Sequence, residues 1–520
     1  MKLNHSSTHR LQTAAAFGLA LAALACWGLL IWHAWALYPQ TGWFNSDAAT
    51  ELLYARHMAQ TGQLLPGEWY FTTEMRLLHS SLVMAPLFTL TDSFALVHTV
   101  TVAIVTALQY AAALALLRGL RLSWPMAMAG GLLALCPISL YTFDYFQSTL
   151  YYSFFWLCSM LLWALAARWP RPGWQGRVLL AAGCLLAFVM GLCGIRYLEI
   201  LFLPLCGVAA LRILGQGLRR ADAWRAQSGR LALCACGAGG YAAVTLLQRA
   251  GILPSGQMQP IQLYAPAQWP EKLKECLLAY GSTYFGGGIG SAFAVLLWAA
   301  LAFSVIWLFC RRRALEQNQR DYGLFCILLN AVNLVILTVV KFDSPVPWRY
   351  TLLPSALTWM LLPLALADLL RLRHTVARRA SAVLTAVLVA GLALNTWQVT
   401  VNFPLQTALA RCRAEAVRYI EEAGWQFGYA TYWNANVITC MSECRVTVAP
   451  VNLDAAEGIA TPLPMGCPHS FFQAVPGQTP EFLLLSAGEA DASGDAFGSP
   501  VYENDCFAVY PYSGPVLQIS

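Results

Sequence analysis

Apolar residues in this chain gather into long runs separated by short polar gaps. The runs fall roughly at 14–38, 93–117, 124–142, 149–167, 178–195, 198–214, 231–249, 290–310, 322–340, 351–370 and 381–400, each near the ~20 residues that carry a helix across a bilayer. The pattern predicts an α-helical polytopic membrane protein with about eleven transmembrane helices. The first run is too long for a signal-peptide core and reads as a retained anchor.

Beyond about residue 405 the pattern changes. Gly, Pro, Asp and Glu return, and apolar runs shorten to strand length, as in Phe482-Leu483-Leu484-Leu485 and the stretch from Gln426 to Tyr432. An amphipathic helix from Ala408 to Ala423 precedes them. The division expected is a transmembrane domain at 1–404, with a large first loop at 39–92, and a small α/β or mostly β domain at 405–520. A little over a hundred residues can just bury a core of their own. No internal repeat or low-complexity tract interrupts this organisation.

Composition agrees: 58% of residues are hydrophobic, 11% are charged, and mean hydropathy is +0.54. The net charge of +6 is explained by orientation. With the N-terminus in the cytoplasm, every inner gap is basic, from Arg118 and Arg121 to Arg378 and Arg379, as cytoplasmic loops are expected to be. A nucleic-acid partner is not needed to account for the charge. An odd number of spans then puts the C-terminal domain outside the cytoplasm. Of 16 cysteines, eleven lie in or beside apolar runs, where Cys behaves as a small hydrophobe. Cys412, Cys440, Cys444, Cys467 and Cys506 lie in the outer part, where disulfides can form. Several pairings are open, Cys440 with Cys444 and Cys467 with Cys506 among them.

Candidate chemistry concentrates at the outer boundary. In the first loop, Ser46 or Asp47 can begin a helix that ends near Gly62, which would put Asp47 and Glu51 one turn apart on one face. After Pro66-Gly67 come Trp69-Tyr70-Phe71-Thr72-Thr73-Glu74-Met75-Arg76 and then His79, an aromatic patch followed by alternating acid and base that could face a sugar or a lipid head group. Asp144 is the sole charge of the second outer loop, where an ionisable group is costly and tends to be functional. Arg196 is a candidate for an anionic substrate unless it pairs with Glu199. The last outer loop runs from Lys341 to Trp348-Arg349-Tyr350, and the forked guanidinium of Arg349 matches phosphate oxygens. The aromatics and amides of Tyr429, Tyr432, Trp433, Asn434 and Asn436 suit either a sugar or a local core.

The Asp soon after the first span, a second acid in the next outer loop, and an Arg-Tyr-x-x-x-Pro opening of a late span together resemble the GT-C superfamily. These are polytopic glycosyltransferases that use polyprenyl-phosphate sugars, among them the protein mannosyltransferases and the aminoarabinose transferase of lipid A. The chain departs from both: the Asp-Glu of the mannosyltransferases is Asp47-Ala48 here, and His79-Ser80-Ser81 stands where the lipid A enzymes have a Lys-Pro-Pro-like segment.

The resemblance implies a bacterial plasma-membrane enzyme that transfers a sugar from a polyprenyl-phosphate donor to an extracytoplasmic glycan, lipid or protein acceptor, with inversion. It implies Asp47 as general base and Asp144 as its helper or the acceptor's positioner. Arg349, with Lys341 or Arg196, would stabilise the departing phosphate. No cofactor is required, and a divalent cation could sit between Asp47 and Asp144. The competing classes are a transporter or flippase of lipid-linked saccharides and a non-catalytic envelope-assembly protein. Neither two similar halves nor charges at the bilayer midplane favour the transporter, and eleven spans are excessive for an anchor.

Overall fold

A computed structural model of the chain describes residues 5–37, 41–42, 44–72, 75, 77–168, 173–253, 262–282, 288–341, 349–372, 374–402, 405–454, 457–473 and 479–519. It divides into two compact units: residues 1–30, 103–245 and 260–403 form one, and 31–102, 246–259 and 404–520 form the other.

The first unit is helical. Among the described residues of the whole chain, eight helices are long and apolar enough to cross a bilayer, from Thr13–Ala36 to Thr375–Val401. One further pair, Trp124–Leu135 and Leu140–Ser148, is long and apolar enough only when taken together, and its two halves meet at 85°. Ser153–Ala166 and Val295–Cys310 are shorter apolar helices. Each apolar run in the sequence coincides with one of these elements, and the chain is a multi-pass membrane protein. The bend has a local cause. Pro137 interrupts the helical ladder, and Ser139 restarts it as an N-cap, accepting from the amide of Thr142 at 3.2 Å. Asn395 donates to the Pro137 carbonyl at 2.7 Å, so that acceptor is satisfied at the break.

Two other helices of this unit, Trp174–Leu192 and Ala221–Arg249, cross where glycine replaces side chains. A Cβ on Gly240 would stand 2.1 Å from the carbonyl oxygen of Phe188, so only the absence of a side chain permits that approach. Several arginines at the ends of the apolar helices have acid partners. Asp321, fully buried, is held by Arg212 and by Arg230, the latter at 2.6 Å.

The second unit holds a six-stranded sheet in the order Ile459–Pro462, Thr447–Asp454, Phe427–Thr431, Phe482–Ser486, Phe507–Pro511, Tyr502–Glu503. The Phe427–Thr431 strand runs parallel to both neighbours, and the outer pairings are antiparallel, so this part is α/β. The unbroken run Phe482-Leu483-Leu484-Leu485 is explained by burial on both faces: Phe482 and Leu484 join one core, Leu483 and Leu485 the other. The helix Thr407–Glu422 covers the first of these cores and is tied to it by a Cys412–Cys506 disulfide. Cys440, Cys444 and Cys467 are free.

The first loop belongs to this unit. Its Trp69–Tyr70 strand pairs antiparallel with Cys467–Pro468, and its helix Ser46–Thr61 packs against Tyr432–Met441.

Candidate functional site

The helix Ser46–Thr61 starts and stops as the sequence predicts, with one difference. Asn45, not Ser46 or Asp47, is the N-cap, accepting from the Ala48 amide at 3.1 Å, and Gly62 closes the helix at φ 66°. Asp47 is therefore not spent on capping. It sits in the first turn, where amide dipoles favour negative charge, and accepts a hydrogen bond from the Tyr432 hydroxyl at 3.0 Å.

That helix is fixed from several sides within its unit. Arg413 donates to the carbonyls of Gly42 and Phe44, the latter at 2.7 Å, and so sets the segment just before Asn45. Ser46 donates from Oγ to the Tyr432 carbonyl. Asn436 donates from Nδ2 to Thr50 Oγ1 at 2.7 Å and to the Gly466 carbonyl at 3.0 Å. The short helix Tyr432–Met441 thus supplies the contacts to Ser46, Asp47 and Thr50, and Arg413 sets the segment before them.

Glu51 lies one turn after Asp47 but faces the interior. It is 0% exposed and forms an ion pair with His79, itself 5% exposed. Both were candidates to meet substrate; the structure turns them toward each other instead. Trp69 is likewise buried, its ring centre 5.3 Å from that of Tyr54. Glu74 and Arg76 lie outside the described residues. Of the aromatics in and after the Phe427–Thr431 strand, Tyr429 belongs to the core, Tyr432 serves Asp47, and Trp433 is 58% exposed.

The remaining candidates lie in the first unit. Asp144, 4% exposed, sits in a wide helical turn, Phe143–Ser148, just after the Pro137 break. Such turns insert an extra residue per hydrogen-bonded ring and recur at functional sites. Arg196 follows Gly194 at the start of a span, and its guanidinium lies over three rings: Tyr152 at 5.1 Å, Phe155 at 5.2 Å and Tyr350 at 5.4 Å. Arg349 lies over the same Tyr350 ring, also at 5.4 Å. Two arginines therefore share one aromatic platform. Arg349 forms no ion pair among the described residues. Lys341 is exposed in a two-residue ladder with Gln262.

Tyr152 is the residue that the sequence does not single out. It is 2% exposed, stacks on Tyr145 with ring centres 5.4 Å apart, and its hydroxyl has no hydrogen-bond partner among the described residues. A buried phenol without a partner is costly. Its place under Arg196 becomes legible only when the short helix after Gly194 is folded against the loop after Ser148. Among the described residues no three His, Cys, Asp or Glu side chains converge as a metal-binding group.

No protein-family model matches the chain, and no curated protein matches it. Solved structures do. ArnT from Cupriavidus metallidurans in the apo state superposes with a TM-score of 0.58 at 12% identity, covering 96% of this chain and 98% of that one. The Archaeoglobus fulgidus oligosaccharyltransferase in complex with Zn and sulfate gives 0.51 at 10% identity, over 90% of this chain and 67% of that one. The same organism's AglB, in complex with an inhibitory peptide and a dolichol-phosphate, gives 0.50 at 10% identity, over 92% and 70%. At these identities the likeness is one of architecture, and it extends over nearly the full chain: the protein shares the fold of these structures.

Proposed function

We propose that the protein is a membrane glycosyltransferase that moves a sugar from a polyprenyl-phosphate donor to an extracytoplasmic glycan, lipid or protein, with inversion at the anomeric carbon. The N-terminus lies in the cytoplasm and residues after 402 lie outside. The GT-C fold supports this class, since AglB was solved with a dolichol-phosphate.

The observation that carries the reading is the pair of guanidinium groups on the Tyr350 ring. Two cations close to one platform can grip a phosphate with several charge-assisted hydrogen bonds. Arg196 is the second cation in preference to Lys341, because it shares that platform while Lys341 is exposed.

In the reaction, Asp47 accepts the proton of the acceptor hydroxyl, whose oxygen attacks the anomeric carbon from the face opposite the phosphate. The bond from that carbon to the phosphate oxygen breaks, and polyprenyl phosphate leaves with the electron pair. Arg349 and Arg196 stabilise the charge that grows on it. Tyr432 holds the Asp47 carboxylate in one orientation, and the Glu51–His79 pair anchors the next turn of the same helix. Asp144 positions the acceptor.

The experiment is transfer in reconstituted membranes supplied with a polyprenyl-phosphate sugar and candidate acceptors. Wild type should form glycosylated product and Asp47→Asn should not. Full transfer by Asp47→Asn overturns the base, and lipid-sugar movement across the bilayer without product overturns the enzyme.

A further inference from the structure

The second unit contains a cavity of about 220 Å³ that none of the chemistry above uses. Its wall is mostly apolar, with Ala34, Leu52, Phe94, Ala95 and Cys440 beside the buried His98, and the exposed Glu443 also lines it. Ala34 is in the last turn of the first span, and Phe94 and Ala95 are in the first turn of the second. The cavity therefore lies at the depth where acyl chains meet head groups. It exceeds the ~150 Å³ apolar cavity that holds benzene, giving room for a stretch of one alkyl chain but not two.

A cation stands beside two of the lining residues. Arg56 donates from Nη1 to the Glu443 carbonyl at 3.3 Å, and its guanidinium lies 5.4 Å from the centre of the Phe94 ring. The two acids nearby compensate that charge poorly. Asp92 is 4.0 Å away with its side chain 92% exposed, so solvent screens the pair. The Glu443 carboxylate is engaged by Arg445 at 3.4 Å.

We infer that this cavity binds one acyl chain of an anionic phospholipid, with the lipid phosphate on the fork of Arg56. An apolar slot gives the chain its place, and a guanidinium fixed beside the slot selects the charged head group. The residues involved are not those assigned to the donor phosphate, so the inference does not depend on the transferase reading.

The test is native mass spectrometry of the full-length protein released from nanodiscs, titrated with phosphatidylglycerol and phosphatidylcholine of identical chains. Wild type should retain one phosphatidylglycerol with about tenfold preference over phosphatidylcholine. Arg56→Gln should bring the preference to about one, and Ala95→Phe should abolish retention of both. Ala95→Val, with part of the added volume, should give an intermediate loss if the larger variant does not fold. Equal retention of the two lipids by wild type, retention of neither, or an Arg56→Gln protein that keeps its preference overturns the inference. Adding polyprenyl phosphate distinguishes the sources of the phosphate: if it displaces phosphatidylglycerol at an equal or lower concentration, the site belongs to prenyl lipids and the acyl occupant is wrong.

Discussion

Tyr432 donates its hydroxyl to Oδ1 of Asp47 at 3.0 Å, across 385 residues of sequence. The acid comes from the first loop and its hydrogen-bond donor from the helix after the first parallel strand. Replacing Tyr432 with Phe keeps the ring and removes the donor. In a transfer assay kcat should fall about tenfold with donor KM unchanged, while Asp47→Asn should lose about 10² to 10⁴ in rate. Equal kcat for Tyr432→Phe and wild type would show that the carboxylate needs no such orientation.

Tyr152 and Arg349 should act on the donor. A hydrogen bond to a charged group contributes about 1.5–3 kcal/mol, so Tyr152→Phe should raise donor KM by roughly 10- to 100-fold and leave acceptor KM alone. Arg349→Ala should do the same more strongly. The control is uncharged polyprenol, whose binding should not separate Tyr152→Phe from wild type.

The buried Glu51–His79 pair should matter for stability more than for turnover. His79→Leu leaves the Glu51 carboxylate without its imidazole, and breaking one side of a buried pair costs about 3–5 kcal/mol. The double variant Glu51→Leu/His79→Leu should recover much of that loss in thermal unfolding. A double variant no better than the single would point to a role in chemistry.

Acid should loosen the second unit through His57 and His469. Burial pulls both imidazoles below their ordinary value, with the charge of Glu68 opposing it in each case. The folded state thus favours neutral imidazoles. Their contribution is present above the unfolded value of about 6.5 and is lost as pH falls through the lower folded values. The melting temperature should therefore drop from pH 7.5 to pH 5, and a His57→Gln variant should show a shallower drop.

The glycine crossing gives a packing test. Gly240→Ala places a methyl group against the Phe188 carbonyl and should cost about 1–3 kcal/mol in detergent unfolding. Gly239→Ala next to it meets nothing within 4 Å and should be neutral or slightly stabilising.

Much of this protein is written along the chain. Runs of about twenty apolar residues leave a helix as the sole way to satisfy backbone groups in lipid, so the spans could be read directly. The short apolar run from Phe482 to Leu485, bounded by polar residues, likewise announced a strand. The helix carrying Asp47 was legible because its cap and its closing glycine act within a few residues of it. Partnership was not legible, because it depends on residues far apart in sequence. Nothing near Glu51 indicates that it turns inward to His79, since a helix face is assigned only when something packs on it. Nothing near Asp47 points to Tyr432, and nothing near Cys412 points to Cys506. Tyr152 looked like one aromatic among many until two short turns brought it under Arg196. The sequence by itself determined which segments enter the membrane and where charge gathers at their ends. Only the tertiary structure decided which of those charges meet a buried partner, as Asp321 meets Arg212 and Arg230, and which lie over an aromatic platform, as Arg196 and Arg349 do.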